Sequence, residues 1–253
     1  MGSTRQIGYS GKLTMKILIV IPTYNESQNI EKLIGSIFSI SKNGLDIHIL
    51  VVDDNSPDGT AEIVTKIKEA YPYRLNLLLR DRKLGLGTAY ISGFIWGLER
   101  GYQLFVEMDA DFSHNPHYLP QMINKINSHD FIIASRYIKG GGVKGWGILR
   151  KTISRFGSIY AKTILGIPIN DLTGGYNIWK REVLNGIDLG NVKSEGYSFQ
   201  IELKYRAHMR GFRFVEFPII FEDRFQGKSK MSKRIILEAL YRVWQLKFLS
   251  LRK

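Results

Sequence analysis

The chain has no cysteine. Disulfides, thiolate metal sites and cysteine nucleophiles are therefore excluded, and the redox compartment stays open. No apolar run approaches the roughly 20 residues that a membrane helix needs. No secretory signal is expected in residues 1–14, which are polar and glycine-rich, with no apolar stretch. They are expected to be a tag or a loose extension, with the structured chain beginning at Met15. There is no internal repeat and no low-complexity linker. Acidic residues are in deficit, 23 against 36 Lys and Arg, giving a net charge of +13. That surplus implies an anionic partner, whether nucleic acid, anionic lipid or a phosphate-bearing substrate.

What is present is enough for a substantial core: 44% of 253 residues are apolar, which is not a disordered composition. Ile17–Ile21, Ile47–Val52, Leu75–Leu79, Leu104–Met108 and Phe131–Ala134 are expected to be strands. Helices are expected after Ser27, which can cap Ile30, Leu33, Ile34 and Ile37, and at 60–70, 86–100 and 117–128. This β-α-β-α order predicts an α/β fold with a mostly parallel, Rossmann-like sheet flanked by helices. In such sheets ligands bind off the carboxyl ends of the strands. The polar groups after Ile21, Val52, Met108 and Ala134 then converge on one edge.

Beyond residue 137 the pattern changes. Residues 146–165 are amphipathic, with Leu149, Ile153, Phe156 and Tyr160 on one stripe and Lys151, Ser154, Arg155, Ser158 and Lys162 on the other. Residues 233–253 repeat the theme: Ile236, Leu240, Val243 and Trp244 face away from Arg234, Glu238 and Arg242. Trp146 and Trp244 suit either a core or a membrane interface.

Three short motifs carry chemistry. Asp109-Ala110-Asp111 ends an apolar strand, where unpaired ionised carboxylates could not be buried. Oxygen ligands there suit Mg²⁺ or Mn²⁺ bound to substrate phosphates; a solvated strand end is the other reading. Pro22-Thr23-Tyr24-Asn25-Glu26 follows the first strand, and Tyr24 offers a flat face to a base. Val52-Asp53-Asp54-Asn55-Ser56 follows the second. A carboxylate there can accept from a nucleobase, or it can bond its own turn. His114 is expected to position the loop and His117 to start the next helix, rather than join a metal triad with Asp111.

Together these motifs resemble glycosyltransferase family 2. The match extends through Ser56-Pro57-Asp58-Gly59-Thr60, Lys83-Leu84-Gly85-Leu86-Gly87-Thr88-Ala89-Tyr90 and Asp111-Phe112-Ser113-His114-Asn115-Pro116. It continues with Ser135-Arg136-Tyr137, Gly140-Gly141-Gly142-Val143, Glu195-Gly196-Tyr197-Ser198-Phe199-Gln200 and Gly227-Lys228-Ser229-Lys230. In this order they look like the dolichol-phosphate mannose synthases, over roughly residues 16–232. The resemblance implies an A-type glycosyltransferase fold, with a catalytic domain at 15–232 that includes an interface helix at 146–165, and a basic amphipathic helix at 233–253. It implies transfer of mannose from GDP-mannose to dolichyl or polyprenyl phosphate with inversion. Pro22, Tyr24, Glu26, Val52, Asp54 and Ala110 would hold the nucleotide sugar, with Arg224 and Lys230 on its phosphates. Asp109 and Asp111 would hold the metal, with Ser113 beside them; some relatives carry glutamine there. Arg136, Arg150 and Ser154 would meet the lipid phosphate, making Asp109, Asp111 and Arg136 the catalytic set.

Many relatives carry C-terminal transmembrane helices. The chain is expected to resemble the short members, some of which use a membrane partner subunit. A lipid phosphate is already ionised near neutral pH, with a second pKa of about 6, so no strong base is required. The basic amphipathic segments point to the cytoplasmic face of a membrane rather than to nucleic acid. Transfer of glucose from UDP-glucose is the alternative within the same fold, and a non-catalytic nucleic-acid binder the alternative outside it.

Overall fold

The structure, a computed structural model, describes residues 15–41, 45–192, 194–223 and 233–250, with side chains in the last stretch for 240–248. The expected extension at 1–14 lies outside the described residues.

The first half alternates strands β1 (Lys16–Thr23), β2 (Asp46–Asp53), β3 (Leu75–Leu79), β4 (Leu104–Glu107) and β5 (Phe131–Ser135) with helices α1 (Ile30–Ser41), α2 (Thr60–Lys68), α3 (Leu86–Glu99) and α4 (Leu119–Lys125). The second half holds β6 (Gly142–Lys144), α5 (Ile148–Leu165), β7 (Asn177–Lys180), α6 (Arg181–Gly186), α7 (Gly196–Met209), β8 (Phe214–Pro218), β9 (Ile220–Glu222) and α8 (Lys233–Ser250). Seven strands form one sheet in the order β3-β2-β1-β4-β7-β5-β8. Only β7 runs antiparallel, wedged between β4 and β5. Strands β6 and β9 form a separate parallel pair.

Both faces of the sheet are covered, which is why its strands read as unbroken apolar runs. Ile17, Ile19 and Ile21 of β1 pack with Ile30, Leu33, Ile34 and Ile37 of α1 and with Met122 of α4. Leu18 and Val20 face Tyr90, Phe94, Phe199, Leu203 and Val243 from α3, α7 and α8. Helix α3 is seated tightly on β1. A Cβ added at Gly93 would lie 2.4 Å from Val20 Cγ1, and one at Gly97 would lie 2.5 Å from Leu18 Cδ2.

Chain order reverses between β1 and β4: β2 and β3 lie to one side of β1, and β4 lies to the other. A crevice opens at such a switch point, outside the strands' carboxyl ends. Its walls are Pro22–Glu26 at the end of β1 and Asp109–Ser113 after β4.

Some expectations are corrected. Ser27 does not cap α1. The Glu26 carbonyl accepts the Asn29 and Ile30 N–H groups, both at 3.0 Å, and the Ser27 N–H donates to Asp58 at 3.0 Å. The first strand runs past Ile21, because Pro22 and Thr23 stay in register with Val52 and Asp53 of β2. The amphipathic split of α5 also shifts. Ser158 is fully buried, whereas Ile148, Leu149, Phe156 and Ile159 are 85, 74, 61 and 51% exposed. The Tyr160 hydroxyl turns to α8, donating to the Leu240 carbonyl at 3.2 Å. Trp146 is buried, while Tyr241, Trp244 and Phe248 of α8 are exposed. Among the described residues no helix is long and apolar enough to cross a membrane.

Candidate active site

The walls of the crevice are built by local hydrogen bonding. Asp53 accepts from the Thr23 hydroxyl (2.7 Å), the Ser56 hydroxyl (2.6 Å) and the Ser56 N–H (2.8 Å). It locks the end of β1 to the turn after β2. Asp58 is held by the Thr60 hydroxyl at 2.5 Å and the Thr60 N–H at 3.1 Å. Burial pushes its carboxyl up, but these bonds and those from Ser27 leave it below its ordinary value.

Asp54 is turned toward the protein. One oxygen accepts from Arg80 Nε at 2.5 Å, and the other from the N–H groups of Leu84 and Gly85 at 3.0 and 3.3 Å. Asp54 thus clamps the 80–85 loop beside the crevice. The Val52 side chain is fully buried in the core, so a contact there would run through its backbone. Lys83 Nζ lies 4.2 Å from the centroid of the Tyr24 ring, so the same loop reaches over Tyr24. Glu26 accepts from Asn29 at 2.9 Å. Pro22 is half-buried beside Tyr24.

Across the crevice, Asp109 is presented by β4, with its side chain 31% exposed. One carboxylate oxygen accepts from the Tyr90 hydroxyl at 3.0 Å. Burial, with Asp109 next, pushes the Tyr90 hydroxyl well above its ordinary pKa, so it stays a donor. The ring stacks on Phe199, with centroids 6.0 Å apart. Asp109's backbone N–H donates to His114 Nδ1 at 2.9 Å. His114 is thereby the tautomer carrying its proton on Nε2, which lies 3.9 Å from Asp109's other oxygen. Burial pushes the imidazole pKa down against the pull of Asp109 and Asp111. His114 therefore shapes this loop and is neutral. Asp111 is buried and accepts the Ser113 N–H at 3.1 Å; Ala110 and Ser113 are buried beside it.

Among the described residues there is no cluster of three acidic or histidine side chains fit for a metal. Two carboxylates that share an ion with substrate phosphates form a different kind of site, one that suits Mg²⁺ or Mn²⁺. The donors present fit that arrangement. They are hard oxygens at a strand end, and Asp109 is open to the crevice.

Beyond β5 lies a second cluster. Arg136 is buried and gripped by Asp171: Nε donates at 2.7 Å, Nη2 at 2.6 Å and the backbone N–H at 2.9 Å. Nη2 also donates to the Thr173 hydroxyl at 2.9 Å. Burial pushes Asp171 up, and the Arg136 guanidinium brings it below its ordinary value. Arg136 Nη1 has no hydrogen bond among the described residues. Arg150 donates to Asp223 at 2.8 Å. Its guanidinium lies 4.1 Å from the Trp146 ring centroid, and that of Arg136 lies 5.7 Å from it. Among the described residues the buried Trp146 Nε1–H has no hydrogen-bond partner. Ser154 accepts from the Tyr137 hydroxyl at 2.7 Å. Arg136, Arg150 and Ser154 thus share one neighbourhood, but each already has a partner in the protein. Arg224 and Lys230 lie outside the described residues.

The turn at 170–175 was missed in the sequence, although its paired glycines mark it. It carries Asp171 and Thr173. Lys204, fully buried, holds it by donating to the carbonyls of Asp171 (3.1 Å), Leu172 (3.2 Å) and Gly174 (2.6 Å). Asn177 donates to Glu107 at 2.5 Å, which ties β7 to β4.

Comparison with known proteins decides the family. The model described as "Glycosyl transferase family 2" matches residues 18–187. The chain belongs to that family. It is 45% identical over 231 residues to the polyprenol monophosphomannose synthase of Mycolicibacterium smegmatis, covering 91% of this chain and 86% of the relative. It is 42% identical to the undecaprenyl-phosphate mannosyltransferase of Micrococcus luteus, covering 90 and 93%. Among solved structures, the glucosyl-3-phosphoglycerate synthase of Mycobacterium tuberculosis, in complex with Mn²⁺, UDP and glucosyl-3-phosphoglycerate, superposes with a TM-score of 0.65 at 19% identity, over 96 and 87% of the two chains. The mannosyl-3-phosphoglycerate synthase of Rubrobacter xylanophilus gives 0.61 at 17%, over 94 and 74%. The expected family and its A-type fold are borne out, and the protein is a glycosyltransferase.

Proposed function

We propose that this glycosyltransferase moves mannose from GDP-mannose onto dolichyl or another polyprenyl phosphate, inverting the anomeric carbon. The observation that carries the reading is the pair of relatives at 42 and 45% identity over nine-tenths of the chain. Both are named for a polyprenyl-phosphate product or acceptor.

On this reading the nucleoside lies at the switch point, against Pro22, Tyr24, Glu26 and the backbone of Val52 and Ala110. The 80–85 loop closes over it, held by Asp54. Asp109 and Asp111, with Ser113 beside them, would hold Mg²⁺ or Mn²⁺, which supplies positive charge to the departing diphosphate. Arg224 and Lys230 add cations to the same phosphates. The acceptor is an ionised phosphate, so no residue need remove its proton, and neutral His114 is not asked to. The acceptor site must instead bring one anion up to another. Arg136, held in place through Nε and Nη2, keeps Nη1 for the acceptor. Arg150 exchanges Asp223 for the phosphate, and the Trp146 Nε1–H supplies a further donor. An orphan buried donor costs about 1–3 kcal/mol, a cost that an anion there would remove.

Attachment is peripheral, on the cytoplasmic leaflet. The exposed apolar residues of α5 and α8 enter the interface, and basic residues add about 1 kcal/mol each near an anionic surface. A membrane partner subunit fits the same face. High salt should weaken sedimentation with membranes without abolishing it. Attachment that resists both salt and carbonate would contradict peripheral binding.

Asp54→Ala should weaken GDP-mannose binding about tenfold, because the 80–85 loop loses the charged hydrogen bond that clamps it, and leave the transfer step nearly unchanged. On this reading the loop meets the nucleoside, far from the reacting carbon, and acts as uniform binding. Equilibrium donor affinity and single-turnover rates measure the two effects separately, and unchanged affinity would remove Asp54 from the donor site. A donor screen of GDP-mannose against UDP-glucose, with polyprenyl phosphate as acceptor, tests the sugar assignment.

A further inference from the structure

Helix α5 borders a recess of about 650 Å³ that lies outside the crevice. One wall is Arg155, Ile159 and Lys162 of the helix; the other is Ile167 and Pro168 of the turn that follows it, with Tyr137 at one end. Arg155 makes no hydrogen bond or ion pair among the described residues. Lys162 makes one hydrogen bond, to Asn170 at 2.6 Å, and has two further donors. The recess therefore combines unspent cationic donors with an apolar lining.

Its position selects the ligand. Ile159 lines the recess and also belongs to the exposed apolar face of α5, with Ile148, Leu149 and Phe156. A molecule in the recess meets cations and the membrane-facing apolar stripe together. That chemistry fits an anionic amphiphile with a phosphate headgroup. A free phosphate would leave the apolar lining unused, and a neutral lipid would leave Arg155 unpaired.

We propose that this recess binds the phosphate headgroup of an anionic bilayer phospholipid, at a site distinct from the lipid acceptor's. The site rests on the membrane-surface part of the reading above. The Tyr137 hydroxyl, bonded to Ser154, forms the wall between it and the acceptor cluster. A bound headgroup would thus dock α5 in the bilayer with the acceptor site at headgroup level.

The test measures vesicle binding of the full chain by flotation. One vesicle set is phosphatidylcholine alone, and the other contains phosphatidylglycerol. The readout is the ratio of the two affinities. Lys151→Gln, an exposed residue of the same helix outside the recess, is the control for diffuse attraction. It should lower the ratio about fivefold at most. Arg155→Gln and Lys162→Gln should each lower it about tenfold or more, because a direct charge-assisted contact is lost as well. Thr163→Phe keeps every charge but obstructs the recess, and should lower the ratio too. Equal losses for Lys151→Gln and Arg155→Gln, with no loss for Thr163→Phe, would overturn the site. Saturation by inorganic phosphate at the same residues, with unchanged vesicle ratios, would reassign it to free phosphate. Displacement of phosphatidylglycerol by polyprenyl phosphate would make it the acceptor's own groove. Transfer to a short-chain polyprenyl phosphate in detergent, assayed in parallel, separates the two readings. Retained transfer with a failed ratio test refutes the recess alone, and lost transfer with an intact ratio refutes the catalytic reading alone.

Discussion

Asp109→Ala should lower mannosyl transfer about a thousandfold. A divalent ion at a departing diphosphate is worth several kcal/mol, and each 1.4 kcal/mol is tenfold in rate. Asp109 is the more exposed acid of the pair, and one of its oxygens has no hydrogen bond among the described residues. Removing it should leave the fold nearly intact, so the loss would be chemical. The Tyr90 hydroxyl would lose its acceptor but keep its stack on Phe199. Asp111→Ala should be nearly as damaging, and it also releases the Ser113 N–H. Steady-state rates with matched thermal midpoints check both variants. Wild-type-like turnover in either one, or full activity in excess chelator, would defeat the metal assignment.

Lys204→Met should destabilise the protein by about 3–5 kcal/mol, the usual cost of stripping one partner from a buried charge cluster. Lys204, Arg136, Asp171 and Glu107 form a buried cluster of two basic and two acidic groups. Burial pushes Glu107 up and Lys204 down, and each pulls the other back. Without Lys204 the turn at 171–174 loses three hydrogen bonds, and an acid is left uncompensated. Because total stability is only about 5–15 kcal/mol, the loss should be plain in chemical denaturation. Adding Glu107→Gln removes the acid that Lys204 offsets and should recover part of the loss; such coupling is what a double-mutant cycle measures. In the surviving folded fraction, KM for polyprenyl phosphate should rise more than kcat falls, since the turn holds Arg136. A single-variant change below about 1 kcal/mol would show that Lys204 does not hold the cluster together.

Much of this was legible in the sequence. The first five strands and the convergence of polar segments on one edge follow from unbroken apolar runs broken by turn residues. The family followed from the order of its motifs. Three features were not legible, each for a physical reason. Strand β7 is short and antiparallel, and nothing in Asn177–Lys180 marks its insertion between β4 and β5. Lys204 looks like any helix lysine until the fold buries it. The partners of Asp54 and Arg136 are long-range: Arg80 lies on a loop 26 residues away and Asp171 is 35 away. A sequence pattern can show that a charge stands at a strand end, but not which charge will meet it. The outward face of α5 was misjudged at Tyr160 and Ser158 because α8 and Thr173 cover them.

The most direct measurement of the central claim is product analysis after incubating the purified full chain with GDP-mannose, polyprenyl phosphate and Mn²⁺. The account predicts a mannosyl phosphate of the polyprenol, of inverted anomeric configuration, with release of GDP. It also predicts no such product when UDP-glucose replaces GDP-mannose. A glucosylated lipid formed from UDP-glucose, or mannose transferred to an acceptor hydroxyl rather than to the lipid phosphate, would contradict it.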